Sequence, residues 1–272
     1  MRPEGRWVEV GDGVLARRYA ELDLTTGLVL GAERALVIDT RGDARQGAEL
    51  AAAVRAVTAL PVAVAITHAH FDHCFGTAAF PLGPVHAHPR CPAVLRATAD
   101  TQRARWARHY RERGDLATAA ALAATEPVLP REPAPAVLDL GRRTVELMLP
   151  GAGHTDHDLV VHVPDAGVVF AGDLVEQGAP PDLEDAVVAA WPATLDVLLA
   201  LGPRTVVPGH GEPVDAAFVA AQRRELAAVA ALHAAVAAGE LDAARAQARS
   251  PYPGVRWPAA ATAPAVREAT GG

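Results

Sequence analysis

Residues 62–73 constrain this chain more than any other stretch. Val62-Ala63-Val64-Ala65-Ile66-Thr67 is a near-continuous apolar run with the length of a buried strand, and His68, Ala69, His70, Phe71, Asp72 and His73 follow it without a spacer. Imidazole nitrogens and a carboxylate suit a borderline cation such as zinc, and neighbouring residues of one turn cannot all face a single ion. The spacing therefore allows two ions, or one ion with supporting groups. The bland alternative is a polar loop with chance histidines, in a chain that carries 11 of them.

The rest of the chain can be read as supplying partners to that turn. Short β-like runs at 7–10, 14–19, 27–30 and 35–40 open a sheet, and a helical pattern at 43–58 sets Leu50, Val54 and Val57 on one face before Pro61 ends it. The His-rich turn then lies just beyond the carboxyl end of an interior strand, where open α/β sheets place ligands. Residues 85–88 form a short strand with His86 and His88 on one face, read as partly solvated.

Residues 91–124 read as one long helical stretch carrying Arg103, Arg105, Arg108, Arg111 and Arg113 among Trp106, His109 and Tyr110. Its weak apolar pattern places it outside the main body. It is either a solvated Arg-rich helix or a cap, with Trp106 and Tyr110 as walls and Arg105 or Arg108 holding an acidic substrate group. Pro127, Pro130, Pro133 and Pro135 make a stiff connector.

Strands follow at 136–140, 143–149, 159–163 and 168–173, and the glycines of Gly151-Ala152-Gly153-His154 let a sharp turn lift an imidazole out of the sheet. A helical region to Leu201, in which Trp191-Pro192 marks a helix start, precedes a strand at 205–211 and a helix at 214–238. His233 on the apolar face of that helix reads as a satisfied core histidine. The two halves repeat one scheme: a strand ending in Asp39 or Asp173, a crossover helix, and a strand ending at His68 or His210. Residues 1–239 are expected to form one catalytic domain with a helical insert at 90–125, and 240–272 a C-terminal tail that is loosely ordered from Ser250 onward.

Composition narrows the function classes. An apolar fraction of 50% over 272 residues builds a sizeable core, and a net charge of -7 argues against nucleic acid as the main partner. All 25 basic residues are Arg, which lowers the weight of any Arg cluster. The N-terminus lacks the apolar core of a secretory signal and no apolar run reaches membrane-spanning length, so a cytoplasmic chain is expected. Cys74 and Cys91 make no disulfide framework and read as small buried thiols.

Five pieces in order carry a resemblance: Val37-Ile38-Asp39-Thr40, the His68/His70/Asp72/His73 motif, Gly153-His154-Thr155, Gly172-Asp173 and Gly209-His210-Gly211. They resemble the metallo-β-lactamase fold family of hydrolases over nearly all of the chain to His210. The resemblance implies an α/β fold, an αββα sandwich of two mixed β-sheets with outer helices. It implies that His68, His70 and His154 bind one metal, that Asp72, His73 and His210 bind a second, and that Asp173 bridges them. Two Zn2+ are expected, with iron or manganese as alternatives. Catalysis would rest on Asp72, Asp173 and a hydroxide held by the metals, with Asp39 accepting a hydrogen bond from a ligand histidine.

Departures from the family pattern matter as well. Asp173 stands where some β-lactamases carry a metal-binding cysteine, and Glu176 where many carry a lysine that receives the β-lactam carboxylate. Asp158 stands where glyoxalase II carries a second His, and His70 where the diiron oxygen-reducing branch carries Glu. The expected function is a zinc-dependent hydrolase of a small ester, lactone, thioester or amide. The alternatives are a weak β-lactamase or phosphodiesterase on the same fold, a mononuclear iron thiol or persulfide dioxygenase, and a non-catalytic binding protein. The expected partner is a small-molecule substrate, with neither nucleic acid nor membrane involved, and the Arg-rich insert offers a face for a homodimer.

Overall fold

The architecture follows from strands whose side chains alternate between two apolar layers. The computed structural model describes residues 5–80, 83–255 and 257. One sheet holds seven strands in sequence order: β1 (Arg6–Gly11), β2 (Val14–Arg18), β3 (Thr25–Leu30), β4 (Ala35–Ile38), β5 (Val62–Ala65), β6 (Val85–Ala87) and β7 (Glu132–Pro133). Pairing is antiparallel from β1 to β4 and parallel from β4 to β7. The second sheet holds β8 (Val137–Asp139), β9 (Thr144–Met148), β10 (Val160–Val163), β11 (Val168–Glu176) and β12 (Thr205–His210) in the order β12-β11-β10-β9-β8. Only its β11–β12 pair is parallel, so both sheets are mixed.

Alternation along β4 sends Leu36 and Ile38 into the layer between the sheets, where they join Val161 and Phe170 of the other sheet. Ala35 and Val37 face the opposite way, toward the helices α1 (Ala44–Val57), α2 (Phe71–Cys74), α3 (Cys91–Glu112) and α4 (Leu116–Ala124). Along β11, Val168 and Phe170 face the first sheet. Val169 and Ala171 face α5 (Trp191–Ala200), α6 (Ala216–Ala237) and α7 (Ala243–Arg249). The result is the four-layer αββα sandwich, and it explains why β4, β5 and β11 are apolar on both faces. The expected repeat is present: β4–α1–β5 and β11–α5–β12 are both parallel units, and their carboxyl ends meet at one edge.

Several local readings need correction. The segment 91–124 is two helices, because Gly114 adopts φ +78 and ends the first, and Asp115 caps the second by accepting from the Thr118 amide at 3.1 Å. The proline connector contains β7, which continues the sheet beside β6. His86 is buried rather than partly solvated. His233 is half-buried against the Trp257 ring, with centroids 4.1 Å apart, and its Nε2 has no hydrogen-bond partner, so it is not a satisfied core histidine. Within the expected 240–272 tail, α7 forms ahead of Ser250, and Ala246 and Trp257 bury into the α5–α6 layer. Residues 258–272 lie outside the described residues. Among the described residues, no helix is long and apolar enough to cross a membrane.

Glycines let the loop after β4 approach the turn after α2. A Cβ on Gly76 would sit 2.0 Å from the Thr40 carbonyl oxygen, and one on Gly47 would sit 2.3 Å from the Gly76 carbonyl oxygen. That approach allows the Thr40 amide to donate to His73 O at 2.7 Å and the Gly76 amide to donate to Arg41 O at 2.9 Å. Gly76→Ala is expected to cost about 3 kcal/mol, since backbone atoms on both sides must move. A urea midpoint within error of wild type would contradict this packing account.

Candidate metal centre

Seven side chains meet at the carboxyl edge of the sandwich. His68 follows β5, and His70, Asp72 and His73 lie on the turn and α2. His154 comes from the β9–β10 loop, Asp173 from within β11, and His210 from the end of β12. They fall into two donor groups, His68/His70/His154/Asp173 and Asp72/His73/His210, and within each group the donor atoms lie within 4.8 Å of one another. All but His70 and His210 are buried, and those two are half-buried. Each residue read from the sequence as a candidate ligand lies at this edge.

Asp173 stands between the groups. Its Oδ1 is 3.2 Å from His73 Nε2, and its Oδ2 is 3.3 Å from His210 Nε2 and 3.6 Å from both His68 Nε2 and His154 Nε2. Asp72 Oδ2 lies 3.4 Å from His210 Nε2. His154 Nε2 is 3.0 Å from His70 Nδ1, and His73 Nε2 is 3.4 Å from His210 Nε2. Two imidazole nitrogens sharing a tetrahedral ion at the usual zinc distance are about 3.4 Å apart, so this spacing fits a bound cation. His68 Nε2 and Asp173 Oδ1 are buried without hydrogen-bond partners, which a metal would satisfy.

Groups behind the ligands fix which nitrogen faces inward. Asp39 accepts from the Thr67 amide at 2.8 Å, from Thr67 Oγ1 at 2.8 Å and from His73 Nδ1 at 2.8 Å. Because the Thr67 hydroxyl gives its one proton to Asp39, it must accept from His68 Nδ1, 3.0 Å away. His210 Nδ1 donates to Leu22 O at 2.7 Å, and His70 Nε2 donates to Asp185 Oδ2 at 3.1 Å. Four imidazoles therefore hold a proton on the outer nitrogen and turn the other nitrogen toward the centre. Asp39 is both a strand-end residue with φ +61 and the anchor of His73. Sequence reasoning found Asp39 but not Thr67, the Leu22 carbonyl or Asp185, which no motif marks.

Before any metal charge is counted, His68 and His154 are held neutral, whereas His70, His73 and His210 are raised by the carboxylates around them and would give up a proton to a bound cation. Burial, and then the neighbouring His73, push His68 well below its ordinary value, and burial lowers His154 to about 3, so both are neutral ligands at neutral pH. Burial opposes ionisation of Asp173, but His73 and His210 outweigh it and hold the carboxyl well below the usual range. Burial also opposes a proton on His73, but the surrounding Asp173, Asp72 and Asp39 raise it well above its ordinary value.

Other residues singled out from the sequence do different work. Asp158 accepts from the Thr155 amide and, at 2.6 Å, from Thr155 Oγ1, closing the turn that presents His154; burial pushes it up to about 7. His157 accepts from the Ala69 amide at 3.2 Å and lines the cavity over the centre without belonging to either donor group. Cys74 donates to His70 O at 3.1 Å, and burial raises its thiol well above the ordinary value, so it stays a thiol. Neither His86 nor His88 belongs to a donor group.

A cavity of about 590 Å³ opens over the centre between α3 and the loop that follows β11. The insert does form one wall of it. Gln102 pins the His turn by accepting from the Phe71 amide at 2.8 Å and donating to Ala69 O at 2.9 Å. The Trp106 ring stacks on Phe71 with centroids 4.4 Å apart. Arg105, read as a possible holder of an acidic substrate, is engaged instead by Glu184 through two hydrogen bonds of 2.9 and 2.7 Å.

Comparison with known proteins is consistent across methods. The model of the metallo-beta-lactamase superfamily matches residues 22–210. A metallo-beta-lactamase type 2 of Bacillus cereus is 31% identical over 199 residues, covering 70% of this chain and 68% of that protein. A metallo-beta-lactamase type 2 of Pseudomonas aeruginosa is 32% identical over 82 residues, so this chain matches only 33% of that relative. Among solved structures, a metallo-beta-lactamase from Pontibacter korlensis superposes with a TM-score of 0.64 at 20% identity, covering 82% of this chain and 99% of that one.

Proposed function

The chain belongs to the metallo-beta-lactamase superfamily, and from that membership and the inward-facing donor set we propose that it is a zinc-dependent hydrolase with two ions, acting on a small ester, lactone, thioester or amide. The observation that carries the reading is the ring orientation: four imidazoles, each with its outer nitrogen bonded, aim the other nitrogen at one edge. When bound, the ions would supply Lewis acidity and a water acidified toward neutrality.

His68, His70 and His154 would hold one ion, Asp72, His73 and His210 the other, and Asp173 both. Asp39 fixes His73 directly and His68 through Thr67, so one carboxylate orients a ligand of each ion. Asp72 Oδ2 and Asp173 Oδ2 lie within 3.4 Å of His210 Nε2, where a carboxylate oxygen can take a proton from the attacking water and return it to the leaving group. Trp106 and Phe71 exclude water from one side of the cavity.

A substrate panel of lactones, thioesters, esters, β-lactams and phosphodiesters, run with the zinc-loaded protein, tests the reading. Turnover of a carbonyl substrate that stops on chelation is the expected result, and no turnover of any of them would sink it. Asp39→Ala is expected to weaken metal affinity about 10- to 100-fold with the fold retained, measured by competition with a chromogenic chelator. Unchanged affinity would reduce Asp39 to a strand-end residue. The relatives' name makes β-lactam hydrolysis the second reading, favoured by the identity over 199 residues. The buried carboxyl of Glu176 opposes it, because it stands where a β-lactam carboxylate would need a cation.

A further inference from the structure

Charge around the cavity is lopsided. Besides the histidines, Arg105 is the one cationic side chain lining it among the described residues, and Glu184 occupies its guanidinium. Asp23, at the opposite rim, is paired with Arg18. Glu176, Asp182 and Asp185, at the end of β11 and along the loop after it, have no guanidinium partner. Exposed carboxylates such as Asp182 and Asp185 are ordinarily just solvated, and alone they would indicate nothing.

Glu176 is different, because it is only 8% exposed and still lines the cavity. Its Oε1 accepts from the Asp182 amide at 2.9 Å, and its Oε2 has no hydrogen-bond partner among the described residues. Burial and the nearby Asp173 push this carboxyl up to about 8 against the pull of His210, so a cationic group in the cavity would hold it ionised. Phe71, Val94 and Trp106 give the cavity an apolar patch beside Thr98, Thr101 and Gln102.

Resting on the hydrolase reading above, we propose that the substrate is a cationic acyl compound: an ester, lactone or amide bearing an ammonium or similar amine-derived charge. That charge sits against Glu176 and Asp182, and the apolar part lies on Phe71, Val94 and Trp106. Glu176 thereby sets specificity by a repulsive element as well as an attractive one, since an anionic substrate meets three carboxylates.

The test is binding, read by titration calorimetry on the zinc-loaded full chain with two non-hydrolysable amides of equal size, one ending in an ammonium and one in a hydroxyl. The ammonium ligand is expected to bind at least tenfold more tightly at low ionic strength, with the ratio shrinking as salt rises and falling toward one in Glu176→Gln. Equal binding of the pair, or no measurable binding of either, overturns the proposal. So does a ratio that Glu176→Gln leaves unchanged while the variant keeps wild-type zinc content and melting temperature. Tenfold preference in a protein that hydrolyses nothing would support cation recognition and refute the hydrolase reading, so the two claims fail separately.

Discussion

Asp173→Ala should lower kcat/KM on any ester or lactone that the zinc-loaded protein turns over by about a thousandfold or more. The size follows from position. The carboxylate reaches His73 through one oxygen and His68, His154 and His210 through the other, at 3.2 to 3.6 Å, so it belongs to both donor groups. Removing it takes the shared carboxylate from both donor groups at once, and no other carboxylate on β11 can replace it, because Glu176 bonds the Asp182 amide instead. Asp173→Asn keeps the shape but not the charge and should lose nearly as much. Activity within tenfold of wild type in Asp173→Ala would remove the residue from the centre, and unfolding can be checked separately by melting temperature.

Gly209→Ala should also inactivate the protein, although it deletes no ligand. A Cβ there would lie 1.8 Å from Asp173 Oδ1 and 2.9 Å from the Gly172 carbonyl carbon, so the carboxylate must leave the position it holds between the groups. The expected outcome is a loss of about a hundredfold or more in turnover, with stability falling by about 2 kcal/mol from overpacking. Gly254→Ala is the matched control, because nothing lies within 4 Å of its would-be Cβ. Normal zinc content and turnover in Gly209→Ala would mean that the position of Asp173 is not what the centre depends on.

The candidate ligands were legible because their chemistry is rare and their spacing is local. His68, His70, Asp72 and His73 sit on one turn, and the strand–helix–strand scheme predicts where Asp173 and His210 must join them. What was illegible acts through space. Asp185 is two-thirds exposed on a loop with no periodicity, and its bond to His70 exists only because that loop folds back over the turn. Thr67 looks like the last residue of a strand, yet its single hydroxyl proton decides the tautomer of His68. Arg105 belonged to an Arg-rich face, and only the placement of Glu184 shows that its charge is already used. The break at Gly114 was readable: a glycine followed by Asp at a capping position stops one helix and starts another. Helical continuity of the Arg-rich pattern obscured it.

Glu176 illustrates how sequence and structure divide the work. The resemblance marks it as a carboxyl where relatives carry a cation. Burial and the missing partner of its Oε2 turn that departure into a statement about the substrate.

The central claim, that seven donors divide around two ions, is tested most directly by counting zinc bound to the chelator-stripped chain in a calorimetric titration checked by elemental analysis. Two equivalents per chain, with fewer than two in Asp173→Ala, is the expected result. A single equivalent of any metal in the wild-type protein, or two equivalents that survive loss of Asp173, would contradict it.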